Sequence, residues 1–120
     1  MPVPILKHGE TLIASVVAAL TDDDLIQLRD ELAQKIGKVR AKSVVIDVTA
    51  LDVLDSFATR TLRGIAYTAR LRGADTVIVG IQPEVAFAMV QLGLTMEGVP
   101  TALDLEAGMA LLAKRKASQQ

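Results

Sequence analysis

Ser43-Val44-Val45-Ile46-Asp47-Val48-Thr49-Ala50-Leu51-Asp52-Val53-Leu54-Asp55-Ser56 is the stretch on which the fold turns. Its first part, 43–48, is a β-branched apolar run without the alternation of a strand that has one wet face, so it reads as a central strand. Residues 51–55 form the exit loop. From Ser56 the period changes: Ala58, Leu62, Ile65 and Ala69 recur at helical spacing, while Arg60, Arg63, Tyr67 and Arg70 fall largely off that face. Gly73 closes this helix, expected over 56–72.

Downstream, Thr76-Val77-Ile78-Val79-Gly80-Ile81 repeats the buried-strand pattern. Pro83 suits the first turn of a helix that runs to about residue 92, with Gly93 as its stop. A short strand near 100–103 and a helix over about 105–114 follow, and the tail, 116–120, is expected to fray. Upstream, residues 5–17 read as two short strands around a turn at Gly9. Thr21 or Asp22 then caps a helix whose apolar face is Leu25, Leu28, Leu32 and Ile36, ending near Gly37. Three aspartates, Asp22, Asp23 and Asp24, suit the positive end of its dipole. The order β-β-α-β-α-β-α-β-α implies an α/β fold: a mixed, mostly parallel sheet of about five strands, helices packed against it by right-handed crossovers, and an antiparallel edge from the opening hairpin. No repeat or linker divides the chain, so residues 1–120 are expected to form one domain.

Composition narrows the function. Hydrophobic residues make up 51% of the chain but only Phe57, Tyr67 and Phe87 are aromatic, so the core is aliphatic. Thirteen basic and 14 acidic residues leave a net charge of −1, which provides no long-range attraction for nucleic acid or an anionic membrane. The absence of cysteine excludes a disulfide scaffold, a zinc ribbon and a thiol nucleophile. The longest apolar stretch, 13–20, is far short of the roughly 20 residues of a membrane span. Met1-Pro2-Val3-Pro4 lacks the basic start of a secretory signal, and a cytoplasmic location is expected.

Ser56 sits at a strand-to-helix turn, where activated serines often sit, yet Leu54-Asp55-Ser56-Phe57-Ala58 is not a G-x-S-x-G elbow and the only histidine, His8, lies in the first hairpin. His8 reads as a polar edge-strand residue, and without nearby histidine or cysteine it argues for no transition metal. Asp47, Asp52 and Asp55 could hold magnesium, but aspartates at these positions are also ordinary loop and cap residues. Neither a P-loop nor G-x-G-x-x-G occurs, and no cofactor is expected. The arginines at 60, 63, 70 and 72 read as a solvated helix face. Phe57 falls off the inner face set by Ala58 and Leu62 and is expected to lie outside, as a partner surface. The helix bearing Val85, Phe87, Met89 and Val90 is apolar nearly all round, which fits either deep burial or docking.

The segment 46–56 resembles the strand, loop and Asp-Ser pair of STAS domains, which occur in anti-sigma-factor antagonists. Gly80-Ile81-Gln82-Pro83-Glu84-Val85-Ala86, with Leu92-Gly93 and Glu97-Gly98-Val99, resembles the stressosome branch of that family, in particular its small scaffold type. The resemblance spans nearly the whole chain. Sensor-type relatives carry an additional N-terminal domain, so a 120-residue chain is expected to be the scaffold.

The resemblance implies a non-enzymatic regulator in a bacterial stress response. It would hold a switch serine/threonine kinase at rest and release it when phosphorylated. By position the phosphorylated serine falls on Ser56, beside Asp55, with Thr59 as a secondary candidate. Thr21 matches a second phosphorylatable threonine of sensor-type relatives and is not favoured. Asp55, Phe57 and Arg60 are expected to form the partner surface. A sensor-type STAS paralogue in a large assembly and a phosphatase that resets Ser56 complete the expected partners, in a homo- or hetero-oligomer. The alternative is a stand-alone anti-sigma-factor antagonist controlled by the same serine.

Overall fold

The structure, a computed structural model, describes residues 3–17 and 20–118. Two strands, β1 (Ile5–His8) and β2 (Thr11–Ser15), form the opening antiparallel hairpin. Then follow α1 (Asp22–Val39), β3 (Ser43–Asp47), α2 (Ser56–Leu71), β4 (Asp75–Val79), α3 (Pro83–Gln91), β5 (Thr101–Ala102) and α4 (Leu105–Ser118). The strands lie in sequence order in one five-stranded sheet, with β2 to β5 parallel. This is the expected order and architecture.

Because each parallel strand is placed on the same side of its predecessor, right-handed crossovers put α1, α2 and α3 on one face. There Leu25, Leu28, Leu32, Leu62 and Ile65 pack with Leu12, Ala14, Val44, Ile46 and Ile78. The other face is covered by α4, whose Leu112 meets Val45, Val77 and Val79. Two-sided coverage explains why β3 and β4 read as continuous apolar runs. Each fully buried leucine or isoleucine contributes about 1.5–3 kcal/mol by leaving water.

Helix ends account for most differences from expectation. Helix α1 continues past Gly37 to Val39, because Arg40 takes the left-handed conformation (φ 54°) and donates its N–H to the Ile36 carbonyl. Strands β3 and β4 stop one and two residues early; Gly80 turns away with φ 83°. Helix α4 continues to Ser118, so residues 116–118 are not frayed. The run Ala110-Leu111-Leu112-Ala113-Lys114-Arg115-Lys116-Ala117 consists of strong helix formers. Lys116 Nζ also reaches Glu10 Oε1 at 2.7 Å, an exposed pair that adds little by itself. Part of the expected tail, 119–120, lies outside the described residues.

At the start of α1, Thr21 Oγ1 accepts from Asp24 N (3.1 Å) while Asp24 Oδ2 accepts from Thr21 N (3.0 Å), a reciprocal capping box. The Thr21 amide lowers the Asp24 carboxyl below its ordinary 3.8. The folded state therefore binds this proton less readily than the unfolded chain. Stability from Asp24 is present above the ordinary value and disappears as pH falls through the lowered folded value. In urea titrations the stability gap between wild type and Asp24→Asn is expected to shrink as pH drops below about 4; a gap that is constant with pH overturns this assignment.

Gly64 sits in the middle of α2, where a Cβ would meet nothing within 4 Å. The fold does not require glycine there, and glycine in a helix interior costs about 1 kcal/mol relative to alanine. Gly64→Ala is expected to stabilise the domain by about that amount, raising Tm by about 4 °C in a circular dichroism melt.

Candidate functional site

The β3–α2 connection is shaped from the end of β3 onward. Asp47 Oδ1 accepts from Thr49 N (2.9 Å) and Thr49 Oγ1 (2.6 Å), closing a tight turn. Two contacts then tie the turn to the neighbouring strand's exit. Val48 N donates to Val79 O at 3.0 Å, and Gln82 Nε2 donates to Thr49 O at 2.6 Å. Gly80 lies beneath, at a φ of 83°, where a Cβ would overlap the Thr49 side chain. Leu51 and Leu54 are buried and anchor the rest of the loop, while Asp52 and Val53 face out.

The loop delivers Asp55 in extended conformation as the N-cap of α2, its Oδ1 accepting from Ala58 N at 2.7 Å. Ser56 is therefore the first helical residue, and it is exposed. Beside it is a cleft with Leu25, Leu51 and Ala58 at its floor and Asp22, Asp52 and Asp55 on its rim.

The other candidates fall differently. Arg60 is exposed one turn along from Ser56. Phe57 is half-buried and packs against the core, so it is not the outward aromatic expected from the helical pattern. Thr59 is 1% exposed and its hydroxyl is buried without a hydrogen-bond partner among the described residues, so a kinase cannot reach it while α2 is intact. Thr21 is exposed, with its hydroxyl oxygen already used in the α1 cap.

Among the described residues no catalytic constellation surrounds Ser56. His8 pairs with Thr11 at the start of β2, whereas Ser56 follows the far end of β3, which runs parallel to β2; histidine and serine are at opposite ends of the sheet. Asp47 and Asp55 are occupied in turn and cap, and among the described residues no group of three or more potential ligands could hold a metal ion. No described helix is long and apolar enough to cross a membrane. Helix α3 buries only Val85 and Met89, leaving Phe87 and Val90 outward, so deep burial does not explain its apolar sequence.

A sheet of this order, flanked by helices on both faces and with an exposed serine at the head of α2, defines a class of small α/β domains. The STAS domain model matches residues 3–107, and the chain belongs to that family. It is similar to a serine-to-glutamate variant of RsbS from Moorella thermoacetica: 38% identity, 96% of this chain and 97% of that one covered, TM-score 0.82. A chain in the solved architecture of the stressosome, described as a signal integration and transduction hub, gives 39% identity, 94% and 98% coverage and a TM-score of 0.79. The RsbT co-antagonist protein RsbRA of Bacillus subtilis is 27% identical over 107 residues; these are 88% of this chain but 39% of that protein, so the chain spans well under half of that relative's length.

The sequence reading missed Gln82 and Gly80 as braces of the serine-bearing loop. A glycine and a glutamine directly after a buried strand were the available signal. Gly80→Ala is expected to destabilise the domain by about 2 kcal/mol or more through the left-handed backbone and the overlap with Thr49, read as a lowered urea midpoint. An unchanged midpoint overturns the bracing role.

Proposed function

We propose that this STAS protein is a non-enzymatic scaffold of a cytoplasmic stress-signalling assembly, which holds a switch serine/threonine kinase and releases it when Ser56 is phosphorylated. The observation that carries the proposal is the exposure of Ser56 at the first position of α2, on a loop braced from β4. Similarity to RsbS and to the stressosome chain supports the scaffold role, and the co-antagonist name of RsbRA supports a sensor-type STAS paralogue as a neighbour.

Phosphorylation adds about −1.5 to −2 charge and strong acceptor oxygens. At the head of α2 the dipole and free amides favour that charge, so the helix persists. The amide of Ala58 is already taken by Asp55, and the carboxylates of Asp52 and Asp55 repel the new group. Arg60, four residues on, is the nearest cation along the helix and pairs with it. The change therefore alters the surface of Asp55, Phe57 and Arg60 without unfolding it. A coupling of about 1–3 kcal/mol changes kinase affinity about 5–150-fold, enough for release. A phosphatase resets the serine.

Mass-spectrometric mapping after incubation with the switch kinase and ATP is expected to find phosphate on Ser56 in wild type and none in Ser56→Ala, with unchanged helical circular dichroism on phosphorylation. Phosphate elsewhere, undiminished in the variant, overturns the switch. Co-expression with the kinase and paralogue is expected to give a very large particle; a small one-to-one complex would favour the stand-alone antagonist.

A further inference from the structure

At 3.6 residues per turn, Ser56, Arg60, Arg63, Tyr67 and Arg70, spaced 4, 3, 4 and 3 apart, share one side of α2. Opposite lie the buried Ala58, Leu62, Ile65 and Ala69. The phosphorylatable serine thus heads an outward face that continues for about 21 Å to Arg70. Two grooves flank this face and meet at Gly64. One is bounded by Arg29, Phe57, Arg60 and Thr61, the other by Tyr67, Arg70, Gly98 and Val99.

Resting on the kinase-holding function above, we propose that this whole face is the docking surface for the kinase, which lays an acidic segment along it and comes closest at Gly64. The charge selects the occupant. Arg29, Arg60, Arg63 and Arg70 line the two grooves against a single lining acid, Glu97; Arg29 is offset by Asp30 at 3.0 Å, which leaves Arg60, Arg63 and Arg70 as the positive excess. Arg63 and Arg70 are held in place by Thr95 Oγ1 (3.3 Å) and the Gly98 carbonyl (2.9 Å), leaving further guanidinium donors for a carboxylate partner. A second copy meeting this face about a twofold axis would set arginine against arginine, which disfavours a homodimer here.

Gly64 supplies the independent argument. Its Cβ would touch nothing in this chain and its φ is not positive, so neither packing nor backbone geometry calls for glycine. A helix-weakening residue that the domain does not need internally is explained by a partner backbone passing close over it. Tyr67, 63% exposed beside the notch, offers the amphipathic anchor typical of such contacts.

The experiment is calorimetric binding of the purified switch kinase to wild type, Gly64→Gln and Arg63→Glu/Arg70→Glu, each with its melting temperature. Gly64→Gln is expected to melt no lower than wild type and to bind at least about tenfold more weakly. The double charge reversal is expected to weaken binding about as much and to flatten its salt dependence. Wild-type affinity in both Gly64→Gln and the reversal, with Ser56 still phosphorylated in wild type, overturns the docking face and leaves the switch intact. A kinase that neither binds nor phosphorylates wild type overturns both.

Discussion

The Asp47 carboxylate turns the chain at the end of β3, and every residue up to the head of α2 inherits its position from that turn. One oxygen accepts from both the amide and the hydroxyl of Thr49, so the turn is closed by residues two apart. The exit of β4 then fixes it in space through Gln82 and the bare face of Gly80. A loop held only by its own turn would leave Ser56 free to wander. Bracing by the adjacent strand fixes the connecting segment and, with it, the place of Ser56 at the head of α2.

Rigid presentation also determines what a phosphate can do. With Asp55 capping α2, the first turn is stabilised by a side chain whose negative charge already satisfies an N-terminal amide. A phosphoryl group on the next residue joins an end of the helix suited to anions. On the proposed switch the local order would therefore survive, and the effect would be felt on whatever lies against the surface. This separates a docking switch from an unfolding switch on physical grounds.

Much of the architecture was legible because its signals are local. The β-branched runs at 43–48 and 76–81 and the spacing of Leu25, Leu28, Leu32 and Ile36 each report burial within one element, and the structure has these elements. Ends were less legible: Arg40 takes the left-handed role in which glycine is usual, so the glycine at 37 misleads. Phe57 misled for another reason. The helical wheel puts it off the inner face, but α2 packs against α1 as well as against the sheet, and a ring at that shoulder is half-covered. Thr59 was invisible as a buried residue because hydroxyls are ordinarily read as exposed, and the Gln82 brace joins residues 33 apart, a distance no periodicity reports.

The near-zero net charge conceals a segregated surface, and screening decides how its parts communicate. Acidic residues gather where α1, α2, α3 and α4 begin, at Asp22, Asp23, Asp55, Glu84 and Glu106, as the helix dipoles favour. The arginines of α2 start one turn later. At physiological salt the Debye length is about 8 Å, so charge added at Ser56 reaches Arg60, about 6 Å along the axis, but is largely screened before Arg70. On the proposed switch, a phosphate at Ser56 would act on the near end of the α2 face while the far end would keep its charge in either state. A partner gripping the far end would then retain part of its hold after phosphorylation, and the proposed release would be graded.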